Sequence, residues 1–314
     1  MRLTIAMLVM LSVLTACATS PRLNEIQFVG SHNSYKVGLS ADTRAALATA
    51  NPAALSALDY AHRPLAEQLD LGIRQLELDI FNNPADGTFP VGHVQVIDMR
   101  SHCAELRLCL RQVNAWSTAH PRHVPLWISF NLKDEHIDGL PDPIPFDAAA
   151  LNRLDSVLRE ELGTRILPPG TVGPPHWPRL DDVRGTFVLI LDEGGAKQQW
   201  YERNWRTRPM FMNVDAAHPA AAVMILNDPI EDFAKIGAMV RQGFLVRTRA
   251  DADTREARLN DTARRDAAFA SGAHAVSTDY YLPATQVNTD YVVAPRGGPH
   301  CNPVTSDRTC RIRE

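Results

Sequence analysis

Short apolar runs recur along this chain, and stretches with helical spacing lie between several of them. Residues 26–30 read as a buried strand. Residues 74–81 alternate: Leu76, Leu78 and Ile80 take one face, and Gln75, Glu77 and Asp79 take the other, which is the period of a strand. Further strand candidates are 91–97, 124–132, 187–191, 222–226, 243–248 and 274–277. Helical stretches are expected at 41–58, broken at Pro52, at 64–69 with Pro64 in the first turn and Gly72 as the stop, and at 146–162, 230–242 and 254–271. Strand and helix in alternation favour a parallel sheet with helices outside it. About eight strands close a TIM-type (β/α) barrel, regular or distorted. A doubly wound open sheet is the runner-up, but the Gly-rich dinucleotide loop that often accompanies it is missing. Residues 138–145 and 168–178 are Pro-rich connections. No linker divides the chain, so one α/β catalytic domain is expected over 24–314.

The N-terminus reads as a processing segment. An apolar run at 3–14 follows Met1-Arg2, too short for a membrane span of about 20 residues. Residues 1–16 are therefore expected to be a signal peptide. Leu14-Thr15-Ala16-Cys17 resembles a bacterial lipobox, which implies cleavage before Cys17 and lipid on its thiol; a plain secretory signal is the alternative. Residues 17–23 would then be a linker, and the protein would be anchored to the cell envelope or secreted. Cys103, Cys109, Cys301 and Cys310 remain. In an exported chain they favour disulfides, and their spacing suggests 103 with 109 and 301 with 310, although three pairings are open. The net charge of -4 speaks against nucleic acid as a partner. A monomer is expected.

Glu77 and Asp79, two apart in a strand, share a face. In an open antiparallel sheet that face would simply be solvated. In a parallel barrel it points inward, where unpaired charge is costly. A cation would offset that cost, and carboxylate or amide oxygens suit calcium or magnesium better than zinc. His32 and Asn33 directly follow the first predicted strand, which places them at the C-terminal rim of a barrel, where barrel active sites lie. His93 falls in the next predicted strand. Two imidazoles and a metal supply what phosphodiester cleavage needs: a proton acceptor, a proton donor and charge stabilisation.

These residues form a pattern. Gly30-Ser31-His32-Asn33-Ser34-Tyr35 resembles the opening motif of the phosphatidylinositol-specific phospholipase C superfamily. Gly72-Ile73-Arg74-Gln75-Leu76-Glu77-Leu78-Asp79 is similar to its Gly-x-Arg-x-x-Glu-Leu-Asp strand, and Gly92-His93 follows at the expected distance. Leu132-Lys133-Asp134 and Val276-Ser277-Thr278-Asp279-Tyr280 extend the likeness over most of the chain. The whole resembles the bacterial calcium-dependent, single-domain members. That resemblance implies a distorted TIM barrel and attack of the inositol 2-hydroxyl on phosphorus, with diacylglycerol leaving. It implies that His32 contacts the phosphate and His93 protonates the leaving alkoxide. Asn33, Glu77 and Asp79 would bind Ca2+, with Glu77 also available as base. The metal-free branch uses an Arg in place of calcium, and the intact Glu-Leu-Asp pair argues against that branch. One position departs from the pattern. Asn131 stands where a further Glu ligand is expected, so the metal site loses a charge; a register shift would bring in Asp134 instead. Lys133, on the face of Asn131, is either a phosphate ligand or a structural lysine. Arg247 and Arg249 could bind substrate anion, Asp279 sugar hydroxyls, and Asp192 with Glu193 could line the pocket. His62 receives no role.

Two rivals remain. A glycerophosphodiester phosphodiesterase shares the barrel, the Glu-x-Asp pair and two histidines, but opens with His-Arg-Gly. An inactive, lipid-anchored binding protein would accommodate Asn131, but not the joint presence of His32, His93, Glu77 and Asp79. The expected partners are thus a phosphodiester substrate, phospholipid above all, and a membrane surface.

Overall fold

The structure is a computed structural model, and it describes residues 20–295, 297–306, 310–312 and 314. The expected signal peptide and the Cys17 lipidation site lie outside the described residues.

Eight strands run parallel: β1 (Ile26–Ser31), β2 (Gln75–Ile80), β3 (Leu126–Leu132), β4 (Phe187–Leu191), β5 (Met210–Met212), β6 (Val223–Ile225), β7 (Leu245–Arg249) and β8 (Ala275–Thr278). Their order is β5-β4-β3-β2-β1-β8-β7-β6. The end strands β5 and β6 meet through the single parallel bridge Asn213↔Val223, which nearly closes the barrel. Helices α1 (Ala41–Ala50), α2 (Pro52–Leu58) and α3 (Leu65–Asp70) follow β1. Then α4 (Leu106–Ala119) follows β2, α5 (Ala148–Leu162) follows β3, and α6 (Gly195–Glu202) follows β4. The outer layer is completed by α7 (Phe233–Arg241) after β6 and by α8 (Arg255–Leu259) and α9 (Ala263–Ala270) after β7. Asn51 ends α1 and caps α2 by accepting from Ala54 N, with Pro52 in the first turn, which accounts for the break.

Each strand divides its side chains by the period of two. Phe28, Trp127, Val188, Ile190, Phe211, Val223, Leu245 and Ala275 cluster inside the barrel. Val29, Leu76, Leu78, Ile128, Phe130, Leu189, Leu191 and Met212 pack outward against the helices. Moving toward the C-terminal ends, the inward positions turn polar: Glu77, Asp79, Asn131, Arg247 and Asp279. Gly30 is inward too. A Cβ there would lie 1.9 Å from Gln75 Oε1, so only glycine lets the Gln75 side chain cross the barrel at that level.

Three expectations are corrected. Residues 91–97 do not form a strand. Val91 makes one antiparallel bridge to Ile80, and the chain then folds back, with the amides of His93 and Val94 both donating to Asp98 O. The parallel edge of β2 is already taken by β3, so no ladder is left for this segment. Val96 has φ +68° and points to solvent. The missing barrel strand is β5, whose three residues are too few to show alternation. The stretch 254–271 is two helices, parted by Asn260 at φ +51°.

Both local disulfides are present, Cys103–Cys109 and Cys301–Cys310. The second ties down the strand His300–Cys301, which pairs antiparallel with the start of β1. Leu23 is fully buried, and Arg22 Nη1 donates to Trp177 O at 2.6 Å.

Candidate active site at the barrel mouth

The segment after β1 is held in place by its serines. Ser34 Oγ accepts from Glu77 N at 2.8 Å, while Ser34 N donates to Glu77 O at 3.0 Å. Ser31 Oγ bonds Ser34 Oγ at 2.6 Å and Gln68 Oε1 at 2.7 Å. His32 N donates to Thr278 O at 3.0 Å. The turn carrying His32 and Asn33 is therefore clamped between β2 and β8. Asn33 adopts φ +48°, a left-handed conformation that Asn tolerates better than most residues.

His32 lies between two carboxylates. Its Nδ1 is 2.7 Å from Asp279 Oδ1, and its Nε2 is 3.5 Å from Glu77 Oε1. Tyr60 Oη is 3.2 Å from Nδ1, and His62 Nε2 lies 2.7 Å from the His32 carbonyl. Burial, then Arg249, pulls the imidazole well below its usual range, so the ring rests neutral. Asp279 is in turn fixed by Arg249 Nη2 at 3.3 Å, and its amide donates to Asp251 Oδ1 at 2.8 Å.

Glu77 is paired with Arg247, Oε2 to Nη2 at 2.5 Å, and both residues are buried. Burial alone would raise Glu77; Arg247 foremost, then His32 whenever its ring is protonated, then Arg249 and Lys133, outweigh it and hold the carboxyl below the ordinary range. Arg247 also donates to Asn227 Oδ1 at 2.5 Å and Ser277 Oγ at 3.2 Å. Asp79 behaves differently. Burial pushes it up to about 6 against the pull of Lys133, 3.5 Å from Oδ2, and its Oδ1 is buried with no hydrogen-bond partner. Asn131 pairs in register with Asp79, and its Nδ2 reaches Glu77 Oε1 at 3.5 Å. Asn33 donates to Tyr60 Oη at 2.7 Å, and its Oδ1 accepts only a long bond of 3.4 Å from Tyr35.

His32, Asn33, Glu77, Asp79, Asn131, Arg247 and Asp279 thus converge, with Lys133 beside them. Asp134 does not join them: its carboxylate accepts from Phe146 N and Lys197 Nζ. Asp192 follows β4 in register beside Asn131, and burial pushes it up to about 6. His93 sits on the loop after β2, ring partly exposed, with Nδ1 3.4 Å from Asp98 Oδ2. The residues that sequence reasoning missed are Lys36, Tyr60, His62, Asp98 and Asp251. Each acts through a tertiary contact that no local pattern announces.

The donor set suits a hard cation. It consists of two carboxylates and two amides, all oxygen ligands. The unpartnered Oδ1 of Asp79 and its raised carboxyl show a buried negative charge short of compensation. Among the described residues no group of three or more His, Cys, Asp or Glu has metal-binding geometry by itself, because amides supply half the donors here and Arg247 takes one oxygen of Glu77. Beside Asp279 opens a cavity of about 540 Å3, walled by His62, Arg63, Tyr281 and Leu282.

A family model described as phosphoinositide phospholipase C, Ca2+-dependent, matches residues 21–92 and 88–303. Among solved structures, a Ca2+-dependent phosphatidylinositol-specific phospholipase C from Streptomyces antibioticus is 18% identical, with TM-score 0.56, over 85% of this chain and 98% of that one. A calcium-dependent phosphoinositol-specific phospholipase C from a Gram-negative Pseudomonas sp. is 14% identical, with TM-score 0.55, over 90% and 96%. A phosphatidylinositol-specific phospholipase C from Listeria monocytogenes is 13% identical, with TM-score 0.51, over 88% and 92%. At such identities the structures speak for the fold. Among curated proteins none matches the chain.

Proposed function

Because the chain belongs to the Ca2+-dependent phosphoinositide phospholipase C family, we propose a division of labour among its residues for cleaving the phosphodiester. The protein is a phosphodiesterase of the phospholipase C type acting on phosphatidylinositol, and calcium is its cofactor. The observation that carries the residue assignment is the 2.7 Å contact of His32 Nδ1 with Asp279 Oδ1. It fixes the tautomer with the proton on Nδ1 and leaves the Nε2 lone pair facing the mouth.

His32 then accepts the proton of the inositol 2-hydroxyl as that oxygen bonds to phosphorus. His93 gives its proton to the glycerol oxygen as the P–O bond to diacylglycerol breaks. The product is a cyclic inositol phosphate, which water opens with the two imidazoles in exchanged roles. Glu77 is less suited to be the base, since Arg247 holds it ionised and engages one of its oxygens. Asn33, Glu77, Asp79 and Asn131 would hold the calcium. Bound there, the ion supplies charge neutralisation at the phosphate and a lowered pKa at the 2-hydroxyl. Lys133 and Arg249 line the site with positive charge for the phosphate oxygens. Asp279 serves His32 in this reading.

A monomer suffices for this chemistry, since every residue named above comes from one chain. Residues 1–16 export it, and lipid on Cys17 holds it beside its substrate. Phosphatidylinositol vesicles with calcium or with chelator test the activity. Release of inositol phosphate in calcium, abolished by chelator, is expected. Equal release in chelator would overturn the calcium requirement, and none in calcium would overturn the enzyme.

A further inference from the structure

Lys36 is fully buried, and its Nζ forms an ion pair with Oδ2 of Asp98, itself 1% exposed. Burying such a pair costs several kcal/mol per ion, and apolar residues of the same volume are often as stable. Stability alone therefore gives little reason to place a lysine here. The reason lies on the far side of Asp98, where Oδ2 is 3.4 Å from Nδ1 of His93. The loop closes on itself around that contact: His93 N donates to Asp98 O at 2.9 Å and Asp98 N to Val94 O at 2.8 Å. Lys36 also belongs to the turn that carries His32 and Asn33. Its amide donates to Asn33 O at 3.0 Å, its carbonyl accepts from His62 N at 2.9 Å, and its ammonium lies 5.0 Å from the centre of the Tyr60 ring.

We propose that Lys36 and Asp98 are positioning residues for His93: Asp98 accepts a hydrogen bond from Nδ1–H and so aims Nε2 at the leaving oxygen, while Lys36 pins Asp98 and ties the His93 loop to the His32 turn. The inference rests on the reading of His93 as the proton donor. A carboxylate on one ring nitrogen fixes both tautomer and orientation of a working histidine. The contact is long, and Nδ1 makes no well-formed hydrogen bond; Asp98 Oδ1 likewise has no partner. A small rotation of the carboxylate lets Lys36 keep one oxygen and His93 take the other. Catalytic hydrogen bonds often tighten in this way only when substrate is bound.

A leaving-group comparison tests this. Diacylglycerol must be protonated as it departs, whereas the phenolate of a nitrophenyl inositol phosphate need not be. His93→Ala should slow phosphatidylinositol by about 10²–10⁴-fold and the nitrophenyl ester far less. Asp98→Asn should show the same selectivity, about 10–100-fold on the lipid and little on the ester. Lys36→Met leaves Asp98 buried and unpaired and should lower Tm. Adding Asp98→Asn should restore Tm but not turnover of the lipid. That double variant gives the same reading should either single variant fail to fold. If Asp98→Asn slows both substrates equally, or neither, Asp98 is structural and the proposal is overturned while His93 keeps its role. If His93→Ala shows no selectivity, the reading of His93 falls, and the proposal falls with it.

Discussion

Arg247 Nη2 donates to Glu77 Oε2 at 2.5 Å, joining β7 to β2 across the barrel mouth. Both residues are buried, so each neutralises the other where water does not reach. The pair leaves Glu77 ionised with Oε1 turned toward His32 and Asn131, which is the state a calcium ligand needs.

Arg247→Met strips that partner away. Breaking a buried pair from one side costs about 3–5 kcal/mol, because the other charge stays behind. The variant should melt well below wild type in chelator, and calcium should raise its Tm by more than it raises that of wild type. Thermal melts in calcium and in chelator read both. An unchanged Tm in chelator would mean that the guanidinium does not neutralise Glu77.

Asn131 stands where the sequence resemblance implies a further Glu. Asn131→Glu puts a third carboxylate beside Asp79 and Glu77. Calcium affinity by titration calorimetry should rise about tenfold, since ligand charge sets affinity in such sites. The calcium-free protein should become less stable through like-charge repulsion. Asp79→Asn should do the opposite: weaker binding, with little loss of stability in chelator, because burial opposes the Asp79 charge, its Oδ1 has no partner, and Lys133 reaches its Oδ2 only at 3.5 Å. An affinity indifferent to both changes would place the ion elsewhere.

His274 gives a pH signature remote from the chemistry. Its Nδ1 accepts from Val246 N at 3.0 Å and its Nε2 donates to Asn24 O at 3.0 Å, so only the neutral ring satisfies both. Burial lowers it to about 4. The unfolded value is about 6.5, so the unfolded chain binds the proton first as pH falls. The stability due to the neutral ring is complete above about pH 6.5 and is lost toward pH 4, at about 1.4 kcal/mol per unit. The Tm gap between wild type and His274→Gln should therefore be widest above pH 6.5 and narrow toward pH 4. A gap constant with pH would contradict the buried neutral ring.

Much of this was legible in the chain. The alternation from Gln75 to Ile80 marked a strand and its acidic inward face, because the two sides of a barrel strand meet different surroundings. His32 and Asn33 were placed at the rim by the strand before them. The His93 loop reads as a strand because Val91, Val94, Val96 and Ile97 give it the β-branched composition of one, while the missing ladder partner is a tertiary fact. Lys36 and Asp98 stand 62 positions apart, and Asp279 reaches His32 from 247 away. Closure of the barrel makes these contacts, and no local periodicity records them. The three-residue β5 lay below the length at which a pattern can be recognised.

The central claim is that His32 takes the proton from the attacking hydroxyl in a calcium-loaded site. Phosphorus NMR of phosphatidylinositol vesicles with calcium, comparing wild type and His32→Ala at matched Tm, tests it most directly. The account predicts a cyclic inositol phosphate signal from wild type, and a rate lower by about 10²–10⁴-fold in the variant. The same product at an undiminished rate from His32→Ala would contradict it.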